Sequence, residues 1–316
     1  MKKLSILLIL TLALAACARP TPQRTHIRLP MGFVANVQFA PVYVAIEKGY
    51  FAAEGIEIEF DYSWETNGVQ LVGAGELPFA IASGDQVILA RSQGLPVVMF
   101  VNWWKRFPVA VVALEESGIR SPQDLAGRKV GIPETFGASY IGWRALASRF
   151  GLSDTQLEVI GYGALAKLAE KQVEASVVYA NNEPIQLAQA GYKYTLIPVA
   201  DYATLVSNGL ITNERTLQEK PDLVRAFARA FLKGLEDTLA DPDAAFEICK
   251  RYVEGLEANE AAQRAVLQAS LAYWQGQPLG ASDPAAWQAT AQAMLEAGLL
   301  PAPVDATRAF TNDYLP

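Results

Sequence analysis

Apolar and polar residues follow two different spacings along the first part of the chain. Segment 56–64 alternates strictly between apolar and polar residues, which predicts a strand with one covered face. Segment 38–55 instead places its apolar residues at helical spacing and ends at Gly55. The predicted strands are 26–33, 56–64, 77–83, 96–104, 128–133, 157–163 and 175–184, and the helices among them are 38–55, 67–76, 84–94, 136–151 and 164–173.

This regular alternation of strands and helices predicts an α/β fold with crossover helices. Beyond residue 202 the pattern becomes almost entirely helical, over 221–242, 244–256, 259–274 and 283–298. We interpret the chain as two α/β lobes, the first completed by these C-terminal helices. The predicted lobe 1 comprises residues 26–116 and 208–316, and lobe 2 comprises residues 117–207. The chain would cross between them near 112–118 and 205–210, which makes a two-segment hinge.

The N-terminal segment 1–16 has the features of a secretion signal. Lys2 and Lys3 precede an apolar run that is too short to cross a bilayer, and small residues come before Cys17. The sequence LAAC resembles the bacterial lipobox, in which lipid is attached to the cysteine; an ordinary signal peptide with an incidental cysteine is the alternative. Residues 17–25 would form a flexible tether. We therefore expect an extracytoplasmic protein held at the cell membrane through lipid on Cys17 alone.

Charge and residue counts exclude several functions. The net charge is −7, and it becomes −9 once Lys2 and Lys3 are removed, so we expect no nucleic-acid partner. After lipidation of Cys17 only Cys249 remains, in an amphipathic helical stretch typical of a small core residue. The single histidine, His26, has no neighbouring cysteine or carboxylate cluster. The sequence therefore predicts neither a metal site nor a histidine-based catalytic triad.

Segments that follow the predicted strands are rich in aromatic and amide side chains. In α/β sheets the ligand crevice lies at the carboxyl ends of the strands. Aromatic faces stack on a flat ring while amides pair with its polar edge, so this mixture indicates a polar-edged ring compound as ligand. The candidate ligand-binding residues are Asn36, Gln38, Phe39, Tyr62, Trp64, Glu65, Asn67, Ser83, Asp85, Trp103, Trp104, Phe136, Ser139, Tyr140, Tyr179, Asn181 and Glu183.

Several of these residues have a structural alternative. Trp103 and Trp104 follow an apolar strand, so one of them could fill the core rather than line the cleft. Asn182 could cap a helix that begins at Pro184. The candidate loops carry several carboxylates, and their main basic candidates are Lys105 and Arg106. Without a positive cluster, the sequence favours a neutral or weakly cationic ligand over an anion.

Four segments of the chain resemble, in order, recurring blocks of one protein family. The segments are 39–60, 71–87, 121–133 and 213–248. They are similar to the substrate-binding proteins of the SsuA/THI5 (NMT1) group. The resemblance implies a two-lobe periplasmic-binding-protein fold of type II and delivery of a solute to the transmembrane permease subunits of an ATP-binding cassette importer. It also implies a monomer without a cofactor, which closes around its ligand by hinge motion.

The resemblance also orders the ligand classes. Segments 36–41, 136–146 and 179–187 resemble those of riboflavin-binding members, with binders of thiamin-precursor pyrimidines next and alkanesulfonate or taurine binders third on charge grounds. Gly137 to Ser139 match the helix start at which anion-binding relatives hold a sulfonate. The pyrimidine synthases of this family use an active-site histidine and a cysteine-rich iron motif. His26 and Cys249 do not supply these, so we expect a binding protein and not an enzyme.

Overall fold

The computed structural model describes residues 24–316. The predicted signal peptide, the predicted lipidation site at Cys17 and the predicted tether up to residue 23 lie outside the described residues. The tether was expected to reach residue 25, but a strand begins there. The described residues contain ten strands and twelve α-helices.

The strands are β1 (Thr25–Gly32), β2 (Ile56–Trp64), β3 (Ala80–Ser83), β4 (Val97–Val101), β5 (Val109–Leu114), β6 (Lys129–Ile132), β7 (Gln156–Val159), β8 (Ala175–Tyr179), β9 (Tyr194–Pro198) and β10 (Asn208–Asn213). The helices are α1 (Ala40–Glu47), α2 (Tyr50–Ala53), α3 (Glu65–Gly73), α4 (Gly84–Ser92), α5 (Gly137–Phe150), α6 (Ala164–Ala169), α7 (Glu183–Gln189), α8 (Glu214–Glu219), α9 (Pro221–Ala240), α10 (Pro242–Cys249), α11 (Glu260–Trp274) and α12 (Pro284–Glu296).

Strand pairing divides the chain into two lobes. β1 pairs with β2 in parallel, and β10 lies antiparallel between β3 and β4, with β1 beside β3. The second sheet has five strands in the order β7-β6-β8-β5-β9 and contains both parallel and antiparallel pairs. We call residues 24–107 and 208–316 lobe 1, and residues 108–207 lobe 2. Each lobe is a mixed arrangement of strands flanked by helices, as the sequence predicts.

The first crossing between the lobes lies earlier than the sequence indicates. The pattern assigned residues 109–116 to lobe 1, but β5 pairs with β8 along one edge and with β9 along the other. The chain therefore passes into lobe 2 at residues 102–108 and not near 112–118. All six residues of β5 are buried and apolar. Such a strand shows no alternation, so its sequence does not reveal which sheet it joins.

The predicted helix 38–55 is divided into three parts. The side-chain oxygen of Asn36 accepts a hydrogen bond from the backbone N–H of Gln38 at 3.0 Å and starts a 3-10 turn over Val37–Phe39. Helix α1 follows, and the chain then bends at Gly49, whose φ of +73° is left-handed. Only glycine adopts this conformation without steric cost.

The C-terminal helices hold lobe 1 together and reach lobe 2. Helices α9 and α10 both pack on α1. Gly234 permits the close approach of α9, because a Cβ atom there would lie 2.2 Å from the carbonyl oxygen of Pro41. Helix α11 contacts α7, and α12 contacts both α4 and α5. Within the described range, every helix is too short or too polar to cross a bilayer.

Candidate functional site

A cleft lies between the two lobes. It encloses about 90 Å³, and the rest of its space is open to solvent. Ten lining residues come from lobe 1 and nine from lobe 2. They are Met31, Gly32, Phe33, Gln38, Phe39, Glu65, Ile81, Trp103, Trp104, Pro133, Glu134, Ala138, Ser139, Tyr162, Val178, Tyr179, Asn182, Glu183 and Asn208.

An aromatic cluster forms the wall on the side of lobe 1. Trp103 and Trp104 are 1% and 3% exposed, and both line the cleft as well as packing against Trp274. The sequence left open whether these tryptophans fill the core or line the cleft, and in the structure both do both. Trp104 meets Tyr179 of lobe 2 edge to face, with ring centroids 5.9 Å apart. The hydroxyl of Tyr179 donates to the side-chain oxygen of Asn208 at 3.4 Å.

A second aromatic group joins the lobes at the mouth of the cleft. The Tyr162 ring of lobe 2 lies between two rings of lobe 1, edge-on to Phe33 at 4.8 Å and stacked on Trp64 at 5.6 Å. Phe136 of lobe 2 also contacts Trp64 edge to face at 5.8 Å. We call Phe33, Trp64, Phe136 and Tyr162 the aromatic clasp. The sequence predicted Trp64 as a platform for the ligand, but in the structure its partners are Tyr162 and Phe136.

Three carboxyl side chains line the cleft, and a fourth lies directly behind them. Glu65 accepts hydrogen bonds from the hydroxyl of Ser83 at 2.6 Å and from its backbone N–H. Burial, reinforced by the charges of Asp85 and Glu134, raises the pKa of Glu65 well above its ordinary range. Burial also raises the pKa of Asp85. For Glu134, burial together with the charges of Asp85 and Glu183 raises the pKa to about 7.

The third lining carboxyl, Glu183, begins helix α7. Its Oε2 accepts a hydrogen bond from the backbone N–H of Tyr179 at 3.0 Å, and burial raises its pKa. Asn182 donates to the other oxygen of Glu183 at 3.3 Å and accepts from Gln186 at 2.8 Å. Asn182 therefore lines the cleft and makes no side-chain cap to the helix, unlike the capping alternative that the sequence left open.

No basic side chain of residues 24–316 lines this cleft. Lys105 donates to the backbone oxygen of Ala281, and Arg106 forms an ion pair with Asp201 at 3.1 Å. Both basic candidates from the sequence are therefore engaged elsewhere. The cleft is acidic and has no counter-charge of its own, so it suits a ligand rich in hydrogen-bond donors.

Three buried polar atoms of cleft-lining residues have no partner within the described part of the chain. They are Nε2 of Gln38, Nε1 of Trp103 and Oε2 of Glu134. Gln38 is only 7% exposed. A buried unpaired polar group costs about 1–3 kcal/mol, so groups of this kind point to a bound molecule that pairs with them. Two are donors and one is an acceptor, which a ligand with both carbonyl and N–H or O–H groups would satisfy.

Eight of the seventeen candidate residues line the cleft, and nine lie elsewhere. The eight are Gln38, Phe39, Glu65, Trp103, Trp104, Ser139, Tyr179 and Glu183. Two of the nine, Trp64 and Phe136, belong to the clasp, and Ser83 and Asp85 stand behind Glu65. Asn36 caps the first turn.

The remaining four candidates point away from the cleft or lie beside it. The Tyr62 hydroxyl is 3.1 Å from that of Tyr43, and the Tyr140 hydroxyl accepts from Arg144 at 3.1 Å. Asn67 is exposed on α3. Asn181, predicted as the main polar contact, is fully buried, and its amide donates to the hydroxyl of Ser270 in α11 at 2.7 Å.

We expect Asn181→Ala to affect stability more than ligand affinity. The substitution removes a buried hydrogen bond between lobe 2 and α11, so the free energy of unfolding should fall by about 1–3 kcal/mol. Chemical denaturation and ligand titration of the same variant measure the two effects. Asn67→Ala, at an exposed asparagine, is the control and should leave both unchanged. A large loss of affinity at unchanged stability would instead make Asn181 a ligand contact.

Sequence reasoning missed several lining residues, chiefly Phe33, Glu134, Tyr162, Asn182 and Asn208. Asn182 was considered only as a helix cap, and Glu134 was not among the candidates. Tyr162 stands between two glycines just after β7, at the carboxyl end of a strand, where the same rule that selected the other loops applies. Its position after a strand was the signal in the sequence that could have identified Tyr162. Asn208 follows no strand and opens β10, so the rule does not find it.

The fold and the cleft define a class of protein. Two α/β lobes around a cleft are the arrangement of periplasmic-type solute-binding proteins. The alkanesulfonate-binding protein SsuA from Xanthomonas axonopodis pv. citri, bound to MOPS, superposes with a TM-score of 0.72 at 16% identity, over 92% of this chain and 99% of that one. The model of the family described as NMT1/THI5 like matches residues 36–245, and the chain belongs to this family.

Curated relatives include binding proteins and enzymes. The chain is 40% identical to the riboflavin-binding protein RibY of Chloroflexus aurantiacus, over 97% of this chain and 90% of the relative. It is 30% identical to a formylaminopyrimidine-binding protein of Halalkalibacterium halodurans, over 78% and 77% of the two chains. A 4-amino-5-hydroxymethyl-2-methylpyrimidine phosphate synthase of Legionella pneumophila is more distant, at 26% identity over 71% and 73%.

The residues that could support a synthase lie away from the cleft. His26 is on β1, half exposed, with its Nε2 3.5 Å from a carboxylate oxygen of Glu59. Cys249 is fully buried in α10, and burial raises its pKa to about 12. Among residues 24–316 there is no cluster of three potential metal ligands.

Proposed function

We propose that this protein is the extracytoplasmic solute-binding component of an ATP-binding cassette importer and that its ligand is riboflavin. The observation that carries the proposal is an aromatic, amide-bearing cleft that is acidic and lacks a lining cation. The chain that forms it is 40% identical to a riboflavin-binding protein.

The chemistry of a flavin matches the two sides of the cleft. Its flat three-ring system presents a π-face to Phe39, Trp104 and Tyr179 and has carbonyl and N–H groups along one edge. The unpaired amide of Gln38 is a donor for such a carbonyl. The ribityl chain consists of hydroxyl donors, which carboxylates accept strongly. Glu65, Glu134 and Glu183 therefore form the end of the cleft that would receive this chain.

Binding is proposed to stabilise a closed state. The ligand would dock on lobe 1, and contacts from lobe 2, with the aromatic clasp across the mouth, would favour closure. The closed monomer would then deliver riboflavin to the permease subunits. A lipid on Cys17 would keep the protein at the outer surface of the membrane while leaving both lobes soluble.

A thiamin-precursor pyrimidine is the alternative ligand. The observation that favours it is the 30% identity to a formylaminopyrimidine-binding protein. A single aminopyrimidine ring also presents a π-face and donors to carboxylates, but it has no hydroxyl chain to reach the three cleft carboxyls. Sulfonates lack support, because no lysine or arginine of residues 24–316 lines the cleft. Turnover of a pyrimidine is not proposed, since His26 and Cys249 lie outside the cleft.

Ligand release and titration together test the proposal. We expect protein purified from cells grown with riboflavin to release a yellow compound with the mass of riboflavin on denaturation. Ligand-stripped protein should quench riboflavin fluorescence with one-to-one stoichiometry and a dissociation constant of about 1 µM or tighter, equivalent to roughly 8 kcal/mol. Isotherms that respond to hydroxymethylpyrimidine or formylaminopyrimidine and not to riboflavin would contradict the proposal and support the alternative.

A further inference from the structure

Helix α5 begins at the cleft with a left-handed glycine and without a side-chain cap. Gly137 has φ of +69°, and the N-cap residue Phe136 makes no side-chain hydrogen bond to the first turn. Ala138 and Ser139, the next two residues, line the cleft. A helix start of this kind, with unpaired N–H groups and the positive end of the helix dipole, favours a negative charge in front of it.

Two carboxylates of the protein already occupy the space in front of this helix. A Cβ atom added to Gly137 would lie 3.1 Å from Oε2 of Glu65 and 3.9 Å from Oε1 of Glu134. Glu65 comes from lobe 1 and Glu134 from lobe 2, so both lobes direct an acid to the same place. Oε2 of Glu134 is buried and has no partner in the described residues, and Glu183 adds a third acid to the same cleft.

We propose that the cleft rejects the phosphorylated form of its own ligand, and that Glu65 and Glu134 at the start of α5 are the residues that determine this specificity. Above the raised pKa values of Glu65 and Glu134, where both carboxyls are ionised, a terminal phosphate on the ribityl chain would meet two like charges at this position. No lining lysine or arginine among residues 24–316 would compensate. A hydroxyl at that position donates to the same carboxylates instead. The inference rests on the proposed function for the choice of ligand.

Riboflavin and riboflavin 5′-phosphate form the matched ligand pair for the test. For the unmodified protein at about pH 9, where Glu65 and Glu134 are ionised, we expect the phosphate ester to bind at least about a hundredfold more weakly, because like charges in a partly buried site repel strongly. In Glu134→Gln riboflavin itself should bind more weakly, because Glu134 belongs to the end of the cleft that receives the ribityl chain, but the ratio of the two dissociation constants should shrink by about tenfold. Glu65→Gln tests the second determinant and keeps an amide oxygen that can accept hydrogen bonds from Ser83. Glu170→Gln, at an exposed glutamate of lobe 2, is the control, and it should keep the same ratio of affinities for the two flavins as the unmodified protein.

Equal affinity for the two flavins would overturn the inference and leave the proposed function intact. A difference that persists unchanged in both Glu134→Gln and Glu65→Gln would overturn the assignment of the determinants. If neither flavin binds, the proposed function fails. The same comparison with hydroxymethylpyrimidine and its phosphate then tests the inference alone, and equal binding of that pair would overturn it.

Discussion

Replacing Tyr162 by alanine is expected to weaken riboflavin binding about tenfold to a hundredfold without unfolding the protein. Tyr162 lines the cleft and makes ring contacts with Phe33 and Trp64 of the opposite lobe. Each aromatic pair contributes about 0.5–1.5 kcal/mol, so the loss of two pairs accounts for about 1–3 kcal/mol of closure. The Tyr162 side chain is 47% exposed and stands outside the buried cores, so the free energy of unfolding should change by less than about 1 kcal/mol.

The clasp offers matched controls for this prediction. Tyr192 is an exposed tyrosine of lobe 2 outside the cleft, and Tyr192→Ala should leave the fluorescence titration unchanged. Trp64→Ala removes the stacking partner of Tyr162. If the two rings act as a pair, the effects of Trp64→Ala and Tyr162→Ala on binding will be less than additive in the double variant. Full affinity in Tyr162→Ala would show that the clasp does not contribute to closure.

The lobes and the position of the cleft could be predicted because they depend on local pattern. Strand and helix spacings follow from residue order, and the carboxyl ends of strands define where a crevice forms. Gln38, Glu65, Ser139 and Tyr179 were found in this way. What the pattern did not contain is the direction of each side chain after its strand ends. Asn181 illustrates this limit, since two residues past the end of β8 its amide turns to Ser270 of α11.

Contacts between the lobes were the part that sequence could not supply. Trp64 was predicted as a platform for the ligand, but its packing against Tyr162 depends on how lobe 2 approaches lobe 1. The two carboxylates in front of Gly137 likewise come from segments almost seventy residues apart, at Glu65 and Glu134. The position of β5 was missed for a related reason. A strand that is apolar on both faces fits either sheet, and only its pairing with β8 and β9 decides.

The ligand-free protein is expected to lose stability as the pH rises from about 4.5 to 8. The ordinary pKa of glutamate is 4.5, whereas burial and the charges of Asp85 and Glu183 raise that of Glu134 to about 7. Between these values the folded state binds more protons than the unfolded state, so stability falls with increasing pH. Glu134 alone accounts for about 3 kcal/mol, and the raised pKa values of Glu65, Asp85 and Glu183 act in the same direction.

Urea unfolding at several pH values between 5 and 8 measures this dependence. An arginine lowers the pKa of some carboxylates, such as Glu54 beside Arg229, and these groups make stability rise with pH instead. They do so below pH 4.5, outside this window. In Glu134→Gln the amide carries no charge and no longer raises the pKa of Glu65. Its unfolding free energy should therefore be higher than that of the unmodified protein at pH 8, by about 1–3 kcal/mol, and depend less on pH. Glu170→Gln should reproduce the unmodified slope, and a flat pH profile for the unmodified protein would mean that the cleft carboxyls are solvated when the ligand is absent.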